Sequence, residues 1–483
     1  MIRMRLGRIA EITGGTLYSD GAQPAAGIPV TGVVTDSRKA EQGSLYVARV
    51  GEHADGHDFA AAAAANGALS VLGSRPVDGM PTVVVEDVQA AFAALARAVA
   101  DAAVLGGLQI VGITGSSGKT STKDLLGQLL GSFGPTVAPE GSYNSEVGVP
   151  LTVCRVDTST RFLVAEMGAA GVGHIHYLTS IAPPRIGIVL NVGSAHVGEF
   201  GSVEAIARTK AELVQALPSA ERGGLAVLNA DDARVLAMRE QTAARVLTVG
   251  LSDTADLRAT EVQLDDNGRA GFTLTGVLPT PGGDREIGGV RIALGFHGAH
   301  QVGNALAAIA TAGALGMSLR GIVNELRTAT PISRWRMEVH ELPTGVLLIN
   351  DAYNANPESM AAALRALAQL GRGRRTIAVL GEMRELGDSS ADAHRAVGTL
   401  AGELGVRRLL AVGPGTAGIA EGALSAGVPA DEVQQVPGID EAHDLLRQLL
   451  TAGDVVLFKS SRDSGLRYLG DRITTASGGE IPT

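Results

Sequence analysis

Apolar residues fill positions 110–113, polar and glycine residues occupy 114–124, and apolar residues return at Leu125, Leu126, Leu129 and Leu130. The continuous run predicts a buried parallel strand, and the helical spacing of the leucines predicts a helix packed on it. The turn Gly115-Ser116-Ser117-Gly118 joins the two. Before this unit, short apolar runs at 32–35, 44–48, 69–72 and 82–85 predict strands, and 59–66 and 88–104 predict helices, the first closed by Gly67. After it, runs at 162–165 and 186–190 each end on a polar residue, Glu166 and Asn191. Residues 202–217 form an amphipathic helix with Ile206, Leu213, Val214 and Leu217 on its apolar stripe, and Lys210 falls on that stripe.

A hairpin is expected around 279–289, and His297, His300 and Asn304 precede an alanine-rich helix over 305–315. Strands at 346–350, 376–380, 409–412 and 455–458 alternate with helices towards the C-terminus. Asp351 and Lys459 stand at strand ends, and Asn356-Pro357 reads as a capped helix start. Alternation of this kind predicts an α/β protein. Gly106-Gly107 and the segment TATPIS (328–333) are the natural boundaries, which gives units 1–107, 108–330 and 331–483. Three domains also suit 483 residues, since one core seldom organises so many. In an open parallel sheet the ligand sits beyond the carboxyl ends of the strands, so Gly115, Glu166 and Asn191 are expected to face one crevice.

Charge and composition narrow the function. A formal net charge of -10 argues against nucleic acid as the main partner. The single cysteine, Cys154, forms no internal disulfide and lies among apolar residues as a buried thiol. The basic N-terminus lacks the apolar core of a signal peptide, and no stretch of about 18 apolar residues is evident, so a cytoplasmic protein with no membrane insertion is expected. Only five of the 40 basic residues are lysines: Lys39, Lys119, Lys123, Lys210 and Lys459. Where a chain otherwise uses arginine, a retained lysine marks a place for a compact, titratable ammonium.

The central turn has the chemistry of a phosphate cradle. Glycines let backbone N–H groups converge on phosphate oxygens, the helix start adds positive potential, Lys119 reaches the transferable phosphate, and Thr120 offers a hydroxyl to magnesium. The common pattern G-x-x-x-x-G-K-[ST] requires glycine where this chain has Ile113. Glu166 suits a magnesium-binding carboxylate or a solvated strand end. Lys210 is either a snorkelling lysine or a neutral amine that reacts with carbon dioxide to form a carbamate. The polar stretches 35–38 and 51–58 read as ordinary turns, with Asp58 as a helix cap. Gly413-Pro414-Gly415-Thr416-Ala417-Gly418 formally matches a dinucleotide-binding turn and raises a nicotinamide oxidoreductase as another class. His297 and His300 are a further possible metal pair.

Thr114 to Ser121, Glu166-Met167-Gly168, Asn191 to His196, Ala207 to Glu212 and Asp351 to Pro357 together resemble the ATP-dependent Mur ligases of peptidoglycan synthesis. That family's loop is T-G-x-x-G-K-[ST], which removes the difficulty at Ile113. Within the family, DAYNANPESM, GEMRELG (381–387) and FKSSR (458–462) are similar to the branch that adds D-alanyl-D-alanine, and the D-N-P-R signature of the tripeptide synthetase is absent. Departures are Gln301, where the family usually has Asn, and Lys459-Ser460-Ser461-Arg462, where Lys-Gly-Ser-Arg is commoner.

The resemblance covers about 31–462 and implies a small α/β UDP-substrate domain, a central P-loop ATPase-like parallel-sheet domain and a C-terminal Rossmann-like domain. It implies a ligase, a monomer in the cytoplasm, joining UDP-N-acetylmuramoyl-tripeptide to D-Ala-D-Ala with ATP and two magnesium ions. Other Mur-type or folylpolyglutamate-type amide ligases are the same-fold alternative. By resemblance, Thr114, Gly115, Ser116, Ser117, Gly118, Lys119, Thr120 and Ser121 bind ATP with Asn304, Arg336 and Asp351. Thr120 and Glu166 hold one magnesium, and His196 with carbamylated Lys210 holds the second. Asp36, Ser37, Arg38, Asp55 and His57 belong to the UDP-sugar pocket, which reverses the turn reading of those stretches. Asn144, Asn354, Asn356 and Lys459 lie towards the peptide substrates. Closure of the third domain over the second is expected to complete the site.

Overall fold

The computed structural model describes residues 1–19, 25–193 and 197–480. His196 therefore lies outside the described residues. Three larger sheets, each in its own stretch of chain, organise the rest. In the first, Gly32–Val34, Ser44–Val47, Ala68–Gly73 and Thr82–Val84 run parallel, and Thr16–Tyr18 closes the edge antiparallel.

The central sheet has nine strands among the described residues. Gln109–Thr114 lies between Phe162–Glu166 and Ile186–Val189, parallel to both. Valine and isoleucine fill these strands because helices cover both faces, so neither face needs polar alternation. One apolar layer holds Leu125, Leu126, Leu129 and Leu130 with Val111 and Ile113, and the other holds Leu213, Val214 and Met167 with Ile110 and Leu163. The expected hairpin is longer than its sequence signal. Arg269–Leu278 pairs antiparallel with Arg285–His297, so residues 285–289 belong to a strand rather than to the turn. The helix that follows starts earlier than expected, at Gln301–Ala314.

The third sheet orders Leu347–Asn350, Val455–Lys459, Thr376–Gly381, Arg408–Val412 and Val433–Val436 in parallel, with Glu338–Glu341 antiparallel at one edge. Asn356 caps Pro357–Leu370 through a reciprocal pair with Ser359, as its Asn-Pro signature predicts. The last helix runs through Leu466–Ala476, and Ile473 and Thr474 are buried.

Two expectations need correction. Helix Val88–Leu105 is long and apolar enough to cross a membrane by length and composition, although half of that window is buried inside the protein. Its Phe92, Leu95 and Val99 join a core shared with Leu6 and Ile9 of the first domain and Val149, Val153 and Leu178 of the second. Apolarity here serves interdomain packing. Asp55, not Asp58, caps the short 3-10 turn Gly56–Phe59, accepting from the His57 N–H, and no side chain caps the helix after it.

Candidate functional site

The strand Gln109–Thr114 delivers the chain to the phosphate loop, and the loop is held from behind. Asn191 Oδ1 accepts from Ser117 N at 2.9 Å, Asn191 O accepts from Ser116 N at 3.1 Å, and Ser116 Oγ accepts from Gly193 N at 2.9 Å. Gly118 turns the chain into helix Lys119–Phe133 at φ +81, and a Cβ there would lie 2.6 Å from Asn304 Oδ1. Glycine is thus demanded twice, by backbone angle and by space. Lys119 Nζ donates to Gly115 O at 2.5 Å, curling back over the loop it follows. Burial holds its pKa below the ordinary lysine value, Glu166 opposes that shift, and Arg336 adds to it.

Beside the loop is a cluster of oxygens. Thr120 Oγ1 donates to Glu166 Oε2 at 2.9 Å and lies 2.9 Å from Ser142 Oγ, while Asn144 Nδ2 donates to Glu166 Oε1 at 2.7 Å. Glu166 is buried at the end of its strand. Two hydroxyls beside one carboxylate suit a hard divalent cation that keeps several ligands for water and phosphate. Among the described residues there is no cluster of three or more His, Cys, Asp or Glu that could hold a metal alone. His297 and His300 engage different partners, Asn267 O and the Gln301 side chain, and are not brought together as ligands.

Lys210 is 7% exposed and opens on the same cavity as Lys119 and Glu166. Among the described residues no hydrogen bond or ion pair reaches its ammonium. Burial, and secondarily the charge of Lys119, holds its pKa well below that of an ordinary lysine.

The cavity, about 450 Å³, is lined by Gly115 to Ser121, Ser142, Asn144, Glu166, His174, Tyr177 and Lys210 of the central domain. Arg336, Tyr353, Asn354 and Arg462 of the third domain line it too. The domains are closed across it: Arg336 Nη2 donates to Ser142 Oγ at 3.0 Å, and Gly198 N donates to Glu385 O at 3.1 Å. The Arg336 guanidinium stacks 4.3 Å from the Tyr353 ring. Both neighbours of Arg336, Trp335 and Met337, have positive φ, a conformation that costs free energy and recurs at functional sites.

Several expected contacts take supporting positions instead. Thr114 is a buried strand end, and Asn304 bonds Gln301 and packs behind Gly118. The Asp351 carboxylate accepts from Met337 N at 3.0 Å and pairs with Lys459 Nζ at 2.7 Å. Lys459, 2% exposed, also donates to Asp351 O and Asn354 O, so its ammonium satisfies the 351–354 turn and does not line the cavity. Asn356 is occupied as a helix cap. These residues shape the walls that Asn354 and Arg336 present.

Asp36, Ser37, Arg38, Asp55 and His57 also lie off this cavity. Asp36 pairs with its neighbour Arg38 through two short bonds, and Ser37 O accepts from Asn66. Asp55 accepts from His57 Nδ1 and from Arg75, while His57 Nε2 accepts from Ser74 N. The Gly413 to Gly418 turn has a structural explanation: Gly413 sits at φ +100, and a Cβ at Gly418 would crowd Ala391 O at 3.1 Å and His394 Cβ at 3.2 Å. Ser142, Tyr353, Arg462 and Arg75 were not singled out as site residues. Tyr353 and Arg462 lie inside motifs already legible, whereas Ser142 follows Gly141 in a loop with no periodic signal.

Three family models match in succession. They are the Mur ligase family catalytic domain over 29–103, the Mur ligase middle domain over 113–312, and the Mur ligase glutamate ligase domain over 335–462. The UDP-N-acetylmuramoyl-tripeptide--D-alanyl-D-alanine ligase of Mycobacterium tuberculosis is 45% identical over 512 residues, covering 98% of each chain. MurF from Acinetobacter baumannii superposes with a TM-score of 0.83 at 31% identity, over 98% of this chain and 99% of that one. MurF from Thermotoga maritima, solved with ADP, gives 0.76 at 26% identity over 93% and 98%. A phosphate loop facing an oxygen cluster, roofed by an arginine from a third domain, therefore sits in a chain that these matches place end to end: the protein belongs to the Mur ligase family.

Proposed function

We propose that this chain joins the terminal carboxylate of UDP-N-acetylmuramoyl-tripeptide to the amine of D-alanyl-D-alanine, releasing ADP and phosphate. The observation that carries the reading is the convergence of Lys119, Thr120, Glu166 and Arg336 on one cavity, in a chain 45% identical to ligases of that name.

A carboxylate is a poor electrophile and must be activated. Its oxygen attacks the γ-phosphorus of ATP, ADP leaves, and the acyl phosphate forms. The dipeptide amine then adds to the acyl carbon, and phosphate departs from the tetrahedral intermediate with the carboxylate oxygen. Both first reactants are anions, so the protein's task is to hold them in line and offset their charge. The N–H groups of Gly118 and of the first turn of helix Lys119–Phe133, which no side chain caps, receive the phosphates, Lys119 swings from Gly115 O to the terminal one, and Arg336 faces it across the cleft. Thr120 and Glu166 would hold a magnesium ion, whose chemistry would be charge neutralisation at the phosphate oxygens.

Lys210 has a second role in this reading. Its neutral amine adds to carbon dioxide and loses a proton, which turns a buried uncharged group into an anion beside Lys119. That carbamate would hold a second magnesium ion, with His196 as the further ligand implied by the family. The first-domain residues Asp36, Ser37, Arg38, Asp55 and His57 hold the UDP moiety. Asn144 and Asn354 face the peptide portions, and Asp351 reaches the nucleotide when Lys459 releases it. Water-soluble nucleotide substrates support a cytoplasmic setting, and a monomer is the state the family resemblance implies.

The test is ADP release with UDP-N-acetylmuramoyl-tripeptide and ATP, offering D-Ala-D-Ala, a free diamino acid and glutamate in turn. ADP is expected with D-Ala-D-Ala alone. Turnover driven by glutamate or the diamino acid would assign a different ligase of the same fold, and no turnover with any acceptor would overturn the reading.

A further inference from the structure

Of the five lysines, Lys123 is the most deeply buried, 1% exposed, and the mechanism above does not use it. It lies one turn into the phosphate-loop helix, with its Nζ 2.6 Å from Asp124 Oδ1. The same ammonium donates to Pro139 O, to Gly141 O at 3.2 Å and to Ser333 Oγ at 3.2 Å. Ser333 is the last residue of the linker into the third domain, and all its polar groups near the helix are used. Its N–H donates to Asp124 Oδ2 at 2.7 Å, its hydroxyl donates to Asp124 Oδ1 at 2.9 Å, and Ser333 Oγ accepts from Gly141 N at 2.9 Å. One turn further along, the Gln128 amide bonds both the N–H and the carbonyl of Thr330. A tetrahedral ammonium serves acceptors from three directions here, which a planar guanidinium cannot do in so small a space.

We propose that Lys123, Asp124 and Ser333 are positioning residues that fasten the interdomain linker to the phosphate-loop helix and so fix where Arg336 and Ser142 meet the transferred phosphate. The geometry runs both ways from Ser333. Three residues on is Arg336, and across the Gly141 N bond is Ser142, which touches Arg336 and Thr120 alike. Rotation of the third domain must then pivot after Ser333, at the left-handed residues Trp335 and Met337. The inference rests on the ligase reading, because it assigns the network to phosphoryl transfer.

Ser333→Ala removes the hydroxyl while leaving the Lys123–Asp124 pair and the Ser333 N–H bond intact, so folding is expected to survive with a similar Tm. The expected result is a fall in kcat of about tenfold with the KM for ATP nearly unchanged, since only in-line geometry is lost. Combined with Ser142→Ala, the two losses in kcat are expected to overlap rather than multiply, while any losses in Tm add. A parental kcat in Ser333→Ala, or losses that multiply, would overturn the proposal. Should Ser333→Ala fail to fold, Ser333→Cys keeps the side-chain volume while weakening the hydroxyl's bonds and carries the same prediction, and a parental kcat there overturns it equally. Absence of ADP release by the unmodified enzyme would instead count against the ligase reading itself.

Discussion

Arg336 of the third domain donates to Ser142 of the central domain across 3.0 Å, and Ser142 in turn lies 2.9 Å from the Thr120 hydroxyl. The chain thus brings a guanidinium that is 216 residues away from Thr120 in sequence, counted as 336 minus 120, to within one side chain of the phosphate loop. Removing it by Arg336→Ala is expected to lower kcat by about 100-fold, the usual scale for losing one donor aimed at developing charge. Steady-state kinetics with saturating substrates checks this. A variant that changes only KM would show that Arg336 binds ground state and transition state alike.

Glu166→Gln keeps the shape of the strand end and its bond from Asn144 but removes the charge beside Thr120. The magnesium concentration for half-maximal ADP release is expected to rise by at least about tenfold. An unchanged magnesium profile would remove Glu166 from the ligand set.

Lys210→Ala is expected to lose most activity, by about 100-fold or more, because it deletes the charge facing Lys119. High bicarbonate or a short carboxylate, small anions that can enter the cavity, is expected to restore part of the rate. Full activity in the variant would end the carbamate assignment.

Much of the site is legible in sequence because its framework is periodic. The run at 110–113 and the leucines after it give strand, turn and helix, and the strand ends at Glu166 and Asn191 face the loop as the parallel-sheet rule requires. Lys210 was conspicuous by its place on an apolar stripe, and it is buried. What sequence does not convey is which way a strand-end side chain turns. Lys459 stands at its strand end where expected, yet its ammonium turns to satisfy the 351–354 turn. Nor does periodicity show contacts between irregular segments: Ser142 and Ser333 are loop residues whose partners lie 22 and 210 positions away.

Stability of the third domain should depend on pH through Asp454. Burial would raise its pKa, but two bonds from Arg375 and one from Thr451 N outweigh that and hold it below the unfolded value of 3.8. A depressed carboxylate stabilises the fold above the unfolded pKa and loses that contribution as pH falls through the folded one. Asp454→Asn is therefore expected to cost about 2 kcal/mol near neutral pH, with the gap to the parent closing below pH 3.8. Urea unfolding at pH 7 and pH 3 checks this, and a gap that is the same at both would exclude the ion pair as its source.

The central claim is that this cavity activates an acid by phosphorylating it, and oxygen transfer tests that most directly. UDP-N-acetylmuramoyl-tripeptide labelled with oxygen-18 in its terminal carboxylate is turned over with ATP and D-Ala-D-Ala, and the released phosphate is analysed by mass spectrometry. The account predicts one labelled oxygen in each phosphate formed and ADP as the nucleotide product. Phosphate without the label, or AMP with pyrophosphate, would contradict it.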